Sequence, residues 1–129
     1  MPTDAKPIRL YLDADPRLAA GAGGAAHYFA ENAGMPHEAA SELQTAIIHA
    51  CTEAFDSLSD DAHLELEFAA FADRVEIAIS HEGGPAPAIG LDTIVKTSGK
   101  ALAGVDRVQY EQLGKSSVTR LTKYIRLHS

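Results

Sequence analysis

The chain has 129 residues, a formal net charge of -7, 46% hydrophobic residues and one cysteine. The acidic surplus repels phosphate backbones and anionic lipid surfaces, which argues against nucleic acid and membrane partners. A lone cysteine leaves no internal disulfide, and no stretch approaches the roughly 18–20 apolar residues of a membrane span or the apolar run of a leader, so a single cytoplasmic domain over 1–129 is expected.

In chain order, Ile8, Leu10 and Leu12 alternate with Arg9 and Tyr11, the pattern of a short strand with one face inward, bracketed by Pro7 and Pro16. Arg17 to Asn32 is alanine-rich and predicts a helix. Gly21, Gly23 and Gly24 each weaken it by about 1 kcal/mol relative to alanine, so its first half is expected to be loose and suited to close packing. Gly34 ends that helix, and Pro36 stands where the next one begins.

The next helix, running to about Ser59, organises the chain. At about 100° per residue, Leu43, Ile47, Ala50, Cys51, Ala54 and Leu58 fall into one apolar stripe that belongs in a core. Cys51 within it reads as a small buried thiol. Glu42, Thr45, His49, Thr52, Glu53 and Asp56 gather on the opposite side, where His49 and Glu53, four apart, share one patch. That patch is either a solvated helix face or a wall facing a ligand.

Leu64, Leu66 and Phe68 alternate with Glu65 and Glu67, and after a turn near Ala72 and Asp73, Val75, Ile77 and Ile79 alternate around Glu76. This is an antiparallel hairpin with one apolar face. From Ser80 the text SHEGGPAPAIG reads as a loop, Leu91 to Leu102 as a helix, and Val105–Leu113 with Ser117–Leu127 as a second hairpin whose alternation is broken by Lys123. The order strand, helix, long helix, hairpin, loop, helix, hairpin predicts an α+β two-layer sandwich: a mostly antiparallel sheet with helices packed on one face.

With HACTEAF on the long helix, RVEIAISHEGG on the first hairpin and SSVTRLTKYIRL at the end, this order resembles the anti-sigma factor serine kinases. These are bacterial regulators within the GHKL, or histidine-kinase-like ATPase, family with its Bergerat-type fold. The resemblance implies one such domain over the whole chain. It aligns the family's Ser-Glu-Ala-Cys-Thr-Asn box with Ile48-His49-Ala50-Cys51-Thr52-Glu53, placing His49 at the catalytic base and Glu53 at the magnesium position. The family's Asp-x-Gly box, whose aspartate accepts a hydrogen bond from adenine, corresponds to His81-Glu82-Gly83. The lid is reduced to the residues between Gly83 and Gly90, and only Gly90-Leu91 survives of the second glycine box.

These departures imply a regulator of transcription that works by binding a partner protein, a sigma factor or an anti-sigma antagonist, and that pairs with itself as family members often do. ATP binding is then weak or lost, no cofactor is expected, and the chain is a pseudokinase. The alternative is an active ATP-dependent serine/threonine kinase with His49 as base, Glu53 on magnesium, and His81, Glu82, Gly83 and Gly90 around the nucleotide. A third reading uses His49, Glu53 and His81 as zinc ligands, since imidazole with carboxylate suits that ion. His27, His37, His63 and His128 show no convincing partner in the sequence.

Overall fold

The computed structural model describes residues 7–13, 15–56, 62–82, 104–113 and 116–125. Helix α1 (Arg17–Asn32) follows strand β1 (Ile8–Asp13) and is continuous through its three glycines, so the expected loosening of its first half does not occur. Tertiary packing overrides the glycine cost: Ala19, Ala22, Gly23, Ala26, Phe29 and Ala30 bury one stripe against α2 (His37–Asp56). Small residues there let the two backbones approach. The α1 terminus follows the expected glycine pattern, because Gly34 takes φ 105 while its N–H donates to Glu31 O and Met35 N–H donates to Ala30 O. Those two bonds fix the corner at which α2 turns back along α1.

In α2 the buried positions are Ala40, Leu43, Ala46, Ile47, Cys51 and Phe55. Leu43, Ile47 and Cys51 were anticipated. Ala50 and Ala54 are only half-buried, Phe55 takes a core place the stripe did not include, and Leu58 lies outside the described residues. The arc is wider than one stripe because α2 is covered by α1 on one flank and by the sheet beneath. Burial pushes the Cys51 thiol up to about 12, which makes it inert packing.

The two predicted hairpins form, β2 (His63–Ala70) with β3 (Arg74–Glu82) and β4 (Arg107–Leu113) with β5 (Ser116–Tyr124). However, β3 runs on through Ser80, His81 and Glu82, where a loop was expected, because these residues pair with Val118, Ser117 and Ser116 of β5, and β4 begins at Arg107 rather than Val105. The proposed helix at 91–102, and Leu127 at the end of the last strand, lie outside the described residues. Among the described residues all five strands join one antiparallel sheet in the order β1-β2-β3-β5-β4, so this is the predicted α+β sandwich, with α1 and α2 on one face. Leu64, Leu66, Phe68, Val75, Ile77, Ile79 and Leu121 face the helices and are buried. The other face carries ion pairs, among them Arg9 with Glu65 and Glu67, Arg74 with Glu76, and Arg120 with Glu111. Such exposed pairs contribute roughly 0–1 kcal/mol each, so the apolar layer holds the fold.

Lys123 breaks the alternation of β5 for a reason visible in space. It stands opposite Val75 on the helix-facing side, and its stem is buried while Nζ reaches Glu42 Oε1 on α2 at 3.3 Å. The aliphatic stem fills core space and the charge finds its partner at the rim.

Candidate functional site

His49 and Glu53 are both exposed, one turn apart on the face of α2 turned away from the core, together with Glu42, Thr45 and Asp56. That polar patch is where the sequence put it. Thr52 is tied back to its own helix by a hydrogen bond from Oγ1 to Ile48 O at 2.7 Å, which leaves the His49 imidazole and the carboxylates of Glu42, Glu53 and Asp56 as the chemistry-bearing groups of the patch.

His81 sits near the end of β3 on the face of Ile77 and Ile79, opposite Ser117 of β5. In the adjacent row Ile79 stands opposite Thr119, which stands opposite Tyr110 of β4. Past Ile79 the helix-facing side of the sheet therefore changes from apolar to polar. Among the described residues, two side-chain atoms there are buried without a hydrogen-bond partner, His81 Nδ1 and Tyr110 Oη. A buried polar atom left unmatched costs roughly 1–3 kcal/mol, so two in adjacent rows mark this end of the sheet as a place where a ligand gains by arriving. Tyr110 was not among the residues singled out in the sequence. Nothing in its local pattern separates it from an ordinary strand tyrosine. Glu82 pairs in register with Ser116, and Gly83 and Gly90 lie outside the described residues.

Burial lowers the pKa of His81 below the ordinary imidazole value of 6.5. The folded chain therefore holds this ring neutral in a range where the unfolded chain already binds a proton. Stability from His81 is full above 6.5 and is lost as the pH falls through that value towards the lower folded one. Urea midpoints measured between about pH 7.5 and 5.5 should fall with acidification, and less steeply in His81→Gln. An unchanged slope in the variant refutes this assignment. Glu31, held below its ordinary 4.5 by hydrogen bonds from His37 and then His27, loses its own contribution only at more acidic pH.

No family model matches the chain, and no curated protein matches it. Among solved structures it is similar to the RsbU and RsbW domains of Rv1364c from Mycobacterium tuberculosis, with a TM-score of 0.69 at 16% identity. This chain has that fold. The match covers 95% of this chain and 34% of the other, so the chain spans about a third of the length of the protein it matches. No helix among the described residues is long and apolar enough to cross a membrane.

The histidines correct the sequence reading. His27 and His37 converge on Glu31, and His63 Nδ1 lies 3.0 Å from Asp13 Oδ1 on the neighbouring strand, where the sequence suggested no partner for any of them. His128 lies outside the described residues. Among the described residues the convergent set of potential metal ligands is His27, Glu31 and His37, and it includes none of His49, Glu53 or His81. The pairing of His27 with Glu31 was open to the same spacing argument that joined His49 to Glu53, since both pairs are four apart on a helix.

Proposed function

We propose that this chain is a regulatory domain of the anti-sigma kinase type that acts by binding a partner protein, a sigma factor or an anti-sigma antagonist, with its nucleotide site weak or lost. The shared fold supports this reading, RsbW being an anti-sigma factor serine kinase of the GHKL family. The observation that carries it is His81. Where the resemblance implies a carboxylate that accepts from adenine, this chain has a half-buried imidazole that burial keeps neutral. A neutral ring offers one acceptor at most and no charge. His49 and Glu53, at the base and magnesium positions, stand exposed beside acidic neighbours that repel a triphosphate.

One observation favours the second reading, an active kinase using ATP and magnesium. The unpartnered His81 Nδ1 and Tyr110 Oη are what a site awaiting a ligand presents. Calorimetric titration of the full chain with ATP and ADP, each with and without magnesium, separates the two. The regulatory reading expects no heat at micromolar nucleotide and a complex with a sigma factor or antagonist protein by size-exclusion chromatography without nucleotide. Micromolar ATP affinity that requires magnesium and falls in Glu53→Ala overturns it in favour of the kinase.

A further inference from the structure

We propose that His27, Glu31 and His37 form a binding site for a divalent transition metal, zinc being the best fit, at the corner between α1 and α2. His27 Nε2 lies 2.8 Å from Glu31 Oε2, and His37 Nδ1 lies 2.5 Å from the same oxygen. The three ligand atoms all fall within 4.8 Å of one another. Zinc bonds of about 2.0–2.2 Å place tetrahedral ligands roughly 3.3 Å apart, so the two contacts to Glu31 must lengthen by less than about an ångström while the two imidazole nitrogens, within 4.8 Å of each other, settle to the same spacing. Two imidazoles and one carboxylate form the three-ligand set of open zinc sites, in which the fourth position is left to water or substrate. Imidazole donors favour zinc, nickel, cobalt or copper over magnesium and calcium.

The surroundings of the trio are built rather than accidental. His27 is the most enclosed of the three, with 18% of its side chain exposed, and its other nitrogen, Nδ1, meets Gln44 Oε1 of α2 at 2.9 Å. With the proton on Nδ1 donated to Gln44 Oε1, a metal that takes the place of the Nε2–H···Glu31 bond meets an Nε2 lone pair directed at the trio, the arrangement that metal-binding histidines use. His27 and Glu31 stack one turn apart on α1. His37 opens α2 and is delivered to them by the corner that Gly34 closes, its ring edge-on to that of His27 with centroids 4.9 Å apart.

The test is a titration of the full chain, prepared without a histidine tag, with zinc chloride by calorimetry and with cobalt by visible absorption. The expected result is one ion per chain with affinity far tighter than millimolar, no competition from magnesium and a tetrahedral cobalt spectrum. Gln44→Ala should weaken zinc about 10–100-fold, by removing the bond that orients His27. His37→Ala and Glu31→Gln should weaken it further; both side chains are exposed, so the fold survives, as thermal melts will verify. His63→Ala should change nothing. Binding no tighter than millimolar, binding unaffected by His37→Ala, or binding lost instead in His49→Ala overturns the proposal. The nucleotide titration is blind to this corner, so the two readings fail separately.

Discussion

Phe68→Ala is expected to lower the unfolding free energy by about 3–5 kcal/mol. Phe68 is 1% exposed and lies in β2, flanked on its own face by Ile8 of β1 and Ile77 of β3. Its ring meets that of Phe29 with centroids 5.6 Å apart at 52°, so one side chain joins the sheet to α1. Truncation removes the transfer free energy of the ring and leaves a cavity walled by strands that cannot collapse, because ladders on both sides hold β2 in place. Domains of this size have a total stability of roughly 5–15 kcal/mol, so the variant should be marginally folded. Urea denaturation reads the loss as a drop in midpoint at unchanged slope. In a double-mutant cycle with Phe29→Leu, about 0.5–1.5 kcal/mol of coupling should belong to the ring pair. A loss below about 1 kcal/mol would show that the layers are held together elsewhere.

What the sequence disclosed of this fold depended on the range over which each signal acts. The alternation of Leu64, Leu66 and Phe68 with Glu65 and Glu67 is local, and β2 emerged with every one of those leucines and the phenylalanine buried. The end of α1 was equally legible, because Gly34 and Met35 close a local hydrogen-bonded turn. The continuity of α1 was not. Glycine propensity is a local cost of about 1 kcal/mol per residue, and the packing of Ala19, Ala22 and Ala26 on α2 that outweighs it is a tertiary gain. Lys123 likewise looked like a fault in a strand until Glu42, distant in sequence, came within reach of its Nζ.

The candidate sites divide along the same line. His49 and Glu53 form a patch by helical spacing alone, and the structure keeps them exposed on that face. The trio at the helix corner has only half of its geometry in the sequence. His27 and Glu31 stack by spacing, but His37 and Gln44 arrive only once α2 folds back on α1. His81 could be named from its motif, whereas its unpartnered Nδ1, and Tyr110 beside it, depend on how β3, β5 and β4 line up in register.

Alanine placed at Gly104 should cost about 1–3 kcal/mol, whereas the same change at Gly21 or Gly24 should add up to about 1 kcal/mol. The sign is decided by what a new methyl group meets. At Gly21 and Gly24 it meets open space, so alanine only relieves the helix of glycine's backbone entropy. At Gly104 it is driven against the backbone of α2, colliding with the Glu42 carbonyl oxygen and lying 2.8 Å from its carbon. Backbone in mid-helix cannot swing aside, so the entry to β4 must retreat from α2. Gly23 is the intermediate case: its methyl group meets Ile48 Cγ1 at 2.5 Å and Gln44 O at 3.0 Å, and the isoleucine can partly give way. There the crowding still outweighs the helical gain, and alanine should destabilise by less than at Gly104. Glu42 also holds Lys123 of β5, so the Gly104→Ala displacement should loosen the β4–β5 hairpin from the helix layer. Urea midpoints of the four variants give the order, and amide exchange in β4 and β5 locates the effect. Gly104→Ala matching Gly21→Ala in stability would show that the close approach to Glu42 is not part of the native packing.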